Sequence, residues 1–272
     1  MADDVASRAS IGGRTRLLAI LADPVAHLRT PGAMNAHFAA LGQDAVLVPM
    51  HVAPGDLATV VDGLRRLPNL DGIIVTVPHK ERIAALCHSL TEAARLTGAV
   101  NAIRRDPDGR LVGGQFDGEG FVAGLRMAGH PVEGRRVWMA GAGGAAAGIG
   151  FALLRHGASA LTIHNRTPDR AEALAARLRQ ACPGGAVAAG GPDPAGHDIV
   201  VNATSLGLHP GDALPVEPAR LVPAMLAAEV VMQPAVTPFL AAAAGRGCVT
   251  HGGLPMLTAQ VPILAAFVTA GA

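Results

Sequence analysis

The chain of 272 residues, half of them apolar, is long enough to form one large domain or two of ordinary size. Its 22 basic and 21 acidic residues leave a formal net charge of +1 without any Lys/Arg run, which argues against nucleic acid as a partner. The cysteines Cys87, Cys182 and Cys248 lie far apart and form no CxxC pair. We therefore expect a reducing, cytoplasmic setting with no disulfide framework and no metal site.

The two ends of the chain are the places where a targeting or membrane segment could lie. Residues 1–13 contain early acids and no apolar stretch, so we predict a flexible tail rather than a signal peptide. The uncharged segment Gly252–Ala272 is about as long as a membrane span, but it contains Pro255, Gln260 and Pro262. A buried C-terminal helix is therefore favoured over a membrane anchor, and whether Pro262 kinks that helix or begins it stays open.

The first half of the chain alternates short apolar runs with helical patterns. We predict strands at Leu17–Leu21, Ala45–Val52, Gly72–Val77, Ala99–Arg104 and Leu111–Gln115, and helices at Pro31–Leu41, near Leu57–Leu67 and at Lys80–Leu90. The run GIIVTV is short, β-branched and bounded by Gly and Pro, which is typical of a buried strand. The turn DPDG joins the last two strands.

A second strand–helix series starts at Arg136. Strands are predicted at Val137–Ala140, Leu161–His164, Ile199–Asn202, Val230–Met232 and Val249–Thr250, and helices at Ala145–Arg155 and Pro168–Gln180. This alternation implies an α/β fold of parallel sheets covered by helices. We place a domain boundary near Asp117–Gly134, which gives domains over residues 14–117 and 118–250, with residues 251–272 returning to the first.

The segment VWMAGAGGAAAG carries a glycine pattern between a strand and a helix. Gly141, Gly143 and Ala146 have G-x-G-x-x-A spacing, which suits a tight turn that approaches a pyrophosphate closely. The N-terminus of the following helix offers unpaired N–H groups to the phosphates. We predict a dinucleotide site here, with contacts from Gly141, Ala142, Gly143, Gly144 and Ala145.

The end of the next strand distinguishes between the two nicotinamide cofactors. NAD enzymes usually place an acid there for the ribose hydroxyls, whereas this chain has Asn165 followed by Arg166, Thr167 and Arg170. A guanidinium binds a 2′-phosphate that a carboxylate would repel, so NADP is favoured. The alternative is that Asn165–Thr167 cap the following helix, and a capping role for Thr167 is compatible with phosphate binding by Arg166.

The third strand of this series ends in small polar residues. In a doubly wound sheet the carboxyl ends of the strands face the cofactor. Asn202, Ala203, Thr204 and Ser205 are therefore expected along the ribose and nicotinamide side, although alone they would make an ordinary loop.

Hydride transfer from an alcohol also needs a group that accepts the hydroxyl proton. Lys80 is a candidate, because it follows a buried strand and Pro78 at what we predict to be a helix start, where the dipole disfavours the protonated amine. Asp117 follows a strand among glycines. The alternatives are a solvated surface lysine and a turn or helix-cap aspartate, and position alone does not pair the two residues.

Ordered motifs along nearly the whole chain resemble the shikimate dehydrogenase family. They are IVTVPHK (Ile74–Lys80), TGAVNAI (Thr97–Ile103), FDGEGF (Phe116–Phe121), GAGGA (Gly141–Ala145), NRT (Asn165–Thr167), NATSLG (Asn202–Gly207), TPFL (Thr237–Leu240) and MLTAQ (Met256–Gln260). The resemblance implies an N-terminal α/β substrate domain and a C-terminal Rossmann NADP domain. It also implies a small-molecule substrate and a monomer or homodimer.

The resemblance implies roles for particular residues. Lys80 and Asp117 match the family's catalytic pair. The residues that would hold substrate groups are Thr30, Thr76, Asn101 and Gln260. The same alignment of motifs puts Met232 and Gly253 beside the cofactor. A polyol needs several such groups because each buried hydroxyl must be paired.

This chain also departs from the family pattern. It has Leu28-Arg29-Thr30 for the usual Ser-x-Ser, Ile74 for an Asn, Gln115-Phe116-Asp117 for Asn-Thr-Asp, and Met232 for a Tyr. Each lost hydrogen bond to a substrate carboxylate would cost about 1.5–3 kcal/mol, and we expect Arg29 to point outward rather than replace it. Three hypotheses follow: oxidation of shikimate with NADP, a paralogue acting on quinate or a less polar cyclic alcohol, and an NADP-binding regulatory protein with little turnover.

Overall fold

The computed structural model describes residues 11–271, so residues 1–10 of the predicted tail lie outside the described part of the chain. The described chain forms two compact units. Unit 1 takes in residues 11–94, Ala99–Gly114 and 261–271, and unit 2 takes in Arg95–Gly98 and Gln115–Gln260. Both units are α/β, which confirms the predicted fold class. The limits proposed from the sequence for the two domains stay a prediction.

Unit 1 is built on a sheet with the strand order β2-β1-β3-β5-β6-β4. Its strands are β1 Arg16–Ala22, β2 Ala45–His51, β3 Leu70–Val75, β4 Ser89–Leu90, β5 Ala102–Arg105 and β6 Leu111–Gly114, and its helices include α1 Thr30–Ala40 and α2 Leu57–Leu64. A third helix, α3 (Glu92–Thr97), begins in this unit. β3 is buried along its whole length, as its apolar run predicts. The core around it includes Leu21, Ile73 and Val100.

The expectation of parallel sheets throughout is wrong for unit 1. β2, β1 and β3 pair in parallel, but β3 pairs antiparallel with β5, and β5 pairs antiparallel with β6. The antiparallel pairing of β5 and β6 follows from the turn at residues 106–109, where Gly109 adopts a φ of +82°. A short turn of this kind can join only antiparallel neighbours.

The helix predicted at Lys80–Leu90 is also wrong. Lys80 lies in a turn, and the helical part of the segment is a short 3-10 helix over Arg82–Leu86. The rest of the segment pairs with β6: Ser89 lies beside Val112, and His88 N donates to Leu111 O at 2.8 Å. Tertiary pairing therefore overrides the helix propensity of the segment. Because no α-helix begins at Lys80, a helix dipole does not disfavour the protonated form of its amine.

Unit 2 carries an all-parallel sheet with the order β12-β11-β10-β7-β8-β9. Its strands are β7 Arg136–Ala140, β8 Ala160–His164, β9 Ala186–Ala189, β10 Ile199–Asn202, β11 Leu226–Glu229 and β12 Val249–His251, and its helices are α4 Asp117–Met127, α5 Gly144–Arg155, α6 Pro168–Ala181 and α7 Pro238–Gly245. The strand order reverses between β7 and β10, which is the switch point of a doubly wound fold. This confirms the predicted Rossmann architecture.

The segment near Asp117–Gly134, where the sequence analysis places a domain boundary, contains the helix α4. Its glycines lower the helix propensity of this segment. They are needed for packing: a Cβ on Gly118 would lie 2.0 Å from Gly148 O of α5, and one on Gly120 would lie 2.8 Å from Gln260 Cβ. The close contact between α4 and α5 compensates for the weak propensity.

Two further elements refine the predictions near the C-terminus. The strand predicted at Val230–Met232 lies earlier, at Leu226–Glu229, because it pairs residue for residue with the four-residue β10. The last helix, α8 (Leu254–Thr269), has Pro262 in its interior, so this proline does not begin it. Among residues 11–271, no helix is long and apolar enough to cross a membrane.

Candidate active site

The glycine turn lies at the switch point of unit 2, between β7 and α5. Gly141 has a φ of +116°, and a Cβ there would lie 2.8 Å from the carbonyl oxygen of Ala203. Both the conformation and the space therefore require glycine. Gly143 is the exposed N-cap of α5, and its position leaves the first N–H groups of the helix to bind a ligand. The turn thus brings the predicted pyrophosphate residues next to the loop after β10.

The residues after β8 are arranged as a phosphate site would need. Asn165 Nδ2 donates to Thr167 O at 2.9 Å and shapes the turn. Thr167 is the N-cap of α6, but its hydroxyl makes no capping bond, so capping does not account for this segment. Arg166 and Arg170 are exposed, and neither forms an ion pair within the described residues. Their guanidinium groups are therefore available to an anion.

The loop after β10 is shaped by Asn202, whose side chain is fully buried. Its Oδ1 accepts from Thr204 N at 3.2 Å and from Thr204 Oγ1 at 2.6 Å, and its Nδ2 donates to Leu206 O at 2.9 Å. Asn202 therefore builds the loop, and Thr204 shares in that role. Ser205 is exposed and Ala203 is buried.

Glu229 and Thr237 form a buried cluster with Asn202 that the sequence interpretation missed. Glu229 Oε2 accepts from Thr237 Oγ1 at 2.9 Å and from Asn202 Nδ2 at 3.4 Å. Its Oε1 has no partner within the described chain, and burial raises the pKa of this carboxyl group. Thr237 is the N-cap of α7 and also accepts from Leu240 N. The signal that could have revealed the cluster is a lone acid in the apolar run LAAEVV.

Met232 and Gly253 lie in the loops after β11 and β12, and a backbone hydrogen bond connects these two loops. Gly253 N donates to Val231 O at 3.1 Å, and a Cβ on Gly253 would lie 2.5 Å from two carbonyl oxygens, so only glycine fits. Met232 is 42% exposed and is therefore able to contact a ligand.

Asp117 is the first residue of α4, where the helix dipole favours a carboxylate. Two buried glutamines hold it. Gln115 Nε2 donates to Asp117 Oδ2 at 3.0 Å while Gln115 Oε1 accepts from Asp117 N at 2.6 Å. Gln260 Nε2 donates to Asp117 Oδ1 at 3.1 Å. The carboxylate of Asp117 is thus oriented through both oxygens, and Gln260, expected on the substrate, contacts Asp117.

In unit 1, backbone hydrogen bonds bring three of the predicted residues together. Thr76 follows β3 and donates its N–H to Leu21 O at 3.2 Å. Val100 N donates to Lys80 O at 2.8 Å, and the backbone carbonyl of the largely buried Asn101 accepts from Val75 N at 2.8 Å. Thr30 is the first residue of α1. Thr76, Lys80 and Asn101 therefore lie around the carboxyl end of β3.

Three residues of unit 1 that depart from the family pattern differ in their exposure to solvent. Arg29 is exposed, and Leu28 is half-buried. Ile74 is buried inside β3. Exposure of Arg29 agrees with the expectation that it points outward.

Lys80 carries a further signal. It is the only lysine of the chain, since every other one of the 22 basic side chains is arginine. An arginine stays protonated at any working pH, whereas a lysine is able to exchange its proton. Because all the other Lys/Arg positions are arginine, a lysine at position 80 indicates that a cation able to lose its proton is needed there. This weakens the interpretation of Lys80 as a solvated surface residue.

Burial raises the pKa of two of the three cysteine thiols, Cys87 and Cys248. All three are free thiols, and burial raises the pKa of the Cys87 thiol to about 11, so it stays protonated near neutral pH. Within residues 11–271, no group of three or more His, Cys, Asp or Glu side chains is placed to hold a metal ion.

The switch-point turn and the all-parallel sheet define unit 2 as a dinucleotide-binding Rossmann domain, joined in one chain to a mixed α/β unit. Comparison with known proteins narrows this class. A model described as the shikimate dehydrogenase substrate binding domain matches residues 20–103, and one described as shikimate / quinate 5-dehydrogenase matches residues 125–205. The chain belongs to the shikimate dehydrogenase family.

Individual relatives agree with this placement. The shikimate dehydrogenase (NADP(+)) of Rubrobacter xylanophilus is 44% identical over 259 residues, which cover 92% of this chain and 89% of the relative. The solved shikimate 5-dehydrogenase of Listeria monocytogenes, in complex with shikimate and NAD, has a TM-score of 0.87 and 32% identity, over 96% of this chain and 94% of its own. That of Thermus thermophilus, in complex with NADP(H) and shikimate, has a TM-score of 0.82 and 30% identity, over 94% of both chains.

Proposed function

We propose that this protein is an NADP-dependent shikimate dehydrogenase that interconverts shikimate and 3-dehydroshikimate. The observation that carries the proposal is its 44% identity, over 92% of the chain, to a shikimate dehydrogenase (NADP(+)). The alternatives considered from the sequence, a quinate or less polar alcohol as substrate and a regulatory protein without turnover, are not favoured. We further propose a cytoplasmic monomer or homodimer, which gel filtration of the purified chain would test.

The residues of unit 2 fit NADP. We propose that Gly141–Ala145 hold the pyrophosphate, that Asn165, Arg166, Thr167 and Arg170 surround the 2′-phosphate, and that Asn202–Ser205, Met232 and Gly253 line the nicotinamide side. The glycine conformation at Gly141 and the exposed guanidinium of Arg166 support this assignment. When bound, the nicotinamide supplies the acceptor for the hydride.

The chain's own residues must handle the proton and hold the substrate. Oxidation removes a hydride from the carbinol carbon and a proton from its hydroxyl group. We propose that the unprotonated amine of Lys80 accepts this proton and returns it when the ketone is reduced. Asp117 is proposed as the second catalytic residue. Its orientation by Gln115 and Gln260 supports that role, because an oriented carboxylate loses no rotational freedom in the reaction.

Substrate hydroxyl groups need hydrogen-bond donors and acceptors that the fold holds in fixed positions. We propose Thr76, Asn101 and Gln260 for this purpose, and Thr30 for the substrate carboxylate. Gln260 uses its Nε2 on Asp117, which leaves its Oε1 to accept from a hydroxyl group. Thr76 and Asn101 lie on backbone segments that are hydrogen-bonded to β1 and β3.

The test is turnover of shikimate with NADP, followed by the absorbance of the reduced nicotinamide, with quinate and NAD in parallel. We expect rates of about 1–1000 per second for shikimate with NADP. Lys80→Ala should lower kcat by about 10²–10⁴-fold while NADP binding stays intact. Lys80→Arg keeps the charge but cannot exchange the proton, so it should be equally slow. Wild-type protein that binds NADP but does not turn over shikimate would contradict the proposal.

A further inference from the structure

His79, the residue before Lys80, is fully buried and has an unusual environment. Its Nε2 lies 2.8 Å from the carbonyl oxygen of Val52. A carbonyl oxygen only accepts hydrogen bonds, so Nε2 is the donor in this bond. Nδ1 is buried without a hydrogen-bond partner within the described residues. A buried polar atom left unpaired lowers the stability of the fold.

Packing alone does not explain a histidine at this place. An apolar side chain of similar size would avoid the unpaired nitrogen, but it would leave the carbonyl oxygen of Val52 without the donor that the imidazole supplies. The imidazole therefore contributes something that an apolar residue cannot. The only polar contact that its ring makes in the described chain is the bond to Val52.

That bond anchors the turn that carries Lys80. Val52 follows β2 and is itself fixed, since its N–H donates to Ala22 O at 3.1 Å. At the other end, His79 N donates to Thr76 O at 2.9 Å, which closes the turn from Thr76 to His79. The imidazole thus connects the turn to the residue after β2, which is itself hydrogen-bonded to β1.

We infer that His79 is a positioning residue for Lys80: the Nε2–H bond to Val52 holds the 76–80 turn so that the amine of Lys80 is presented to the substrate. The inference rests on the proposed function, because it assigns Lys80 the proton transfer. His79 itself takes no part in that step, and its ring stays in one tautomer.

The experiment compares three substitutions. In His79→Gln, the side-chain amide places a donor about where Nε2 lies, whereas His79→Met has similar length and no donor. His79→Asn provides a second variant, because its shorter amide reaches only the Nδ1 position. The matched control is Asn35→Leu, since Asn35 also clamps the backbone of β2, through bonds of 2.7 and 3.1 Å to Leu47, but is remote in sequence from the turn.

Two readouts separate positioning from simple stability. Because the chain has one lysine, [ε-13C]lysine labelling yields a single side-chain resonance, that of Lys80. We expect this resonance to shift in His79→Met and His79→Asn and to stay in place in His79→Gln and Asn35→Leu. Steady-state kinetics should show kcat reduced by about 10–100-fold in the first two variants, with KM for NADP unchanged, and near-normal kcat in the other two.

The inference is overturned if His79→Met keeps both the wild-type lysine resonance and the wild-type kcat. It is also overturned if His79→Gln is as slow as His79→Met, since the donor would then not be what matters. Failure of the proposed function gives a different result. Wild-type protein would turn over no shikimate, while the lysine resonance would still report whether the Val52 bond holds the turn.

Discussion

Substitution of Gly118 by alanine should disturb both the stability and the catalytic end of α4. Gly118 follows Asp117, and the added Cβ would lie 2.0 Å from Gly148 O and 2.9 Å from Ala152 Cβ. An ordinary contact needs well over 3 Å, so α4 must move more than about 1 Å away from α5. Overpacking of this kind costs about 3 kcal/mol at the upper end of its range, and the better helix propensity of alanine returns about 1 kcal/mol.

The net loss of about 2 kcal/mol corresponds to a fall in Tm of roughly 4–8 °C for a chain of this size. The movement also displaces Asp117, and a misplacement of about 1 Å lowers kcat by about 10²-fold. Thermal unfolding and steady-state kinetics measure the two effects. Gly63→Ala in α2 is the control, because its Cβ meets nothing within 4 Å and should gain about 0.5–1 kcal/mol. A Gly118→Ala protein with wild-type Tm and kcat would refute the reasoning.

Two other predictions concern charge. Arg166→Ala should raise KM for NADP by about 10–150-fold, the equivalent of one lost charge-assisted bond of about 1.5–3 kcal/mol, while KM for NAD stays unchanged. The control Arg155→Ala, at the C-terminal end of α5, should alter neither KM. An equal rise in KM for both cofactors would argue against a 2′-phosphate site. Glu229→Gln tests the buried carboxyl group, whose pKa is raised in the folded state. The folded protein then holds this proton more tightly than the unfolded chain, so wild-type stability falls as pH rises through the raised pKa. In urea unfolding, the glutamine variant and the wild type should have the same free energy of unfolding below the ordinary glutamate pKa, and the variant should be more stable at neutral pH. A difference in the free energy of unfolding that stays constant across this pH range would show that ionisation of Glu229 plays no part.

The sequence predicts most of the Rossmann unit because its strands are short apolar runs that alternate with helical patterns. It fails where tertiary contacts decide. α4 contains glycines that weaken a helix in isolation, and only the close approach of Gly148 and Gln260 shows why they are there. Likewise, a helical pattern after Lys80 gives way to pairing of Ser89 with β6, a partner more than twenty residues away.

The candidate site shows the same division. Gly141 and Arg166 are predictable because a local pattern, strand then turn then helix, determines where they lie. The contacts of Asp117 are not, because Gln260 reaches it from 143 residues away in sequence. The cluster of Glu229, Asn202 and Thr237 joins the ends of two strands to the start of a helix, and no spacing along the chain reveals such a set.

Hydrogen bonds around each of the two proposed catalytic residues suit its chemistry. Asp117 acts through a fixed carboxylate, and amide donors on both oxygens restrict its side chain directly. Lys80 must gain and lose a proton during the reaction, so contacts that position it have to hold in both charge states. The turn is accordingly secured at Thr76, at Lys80 O and through the His79 ring, each by a neutral hydrogen bond that does not depend on the charge of the amine.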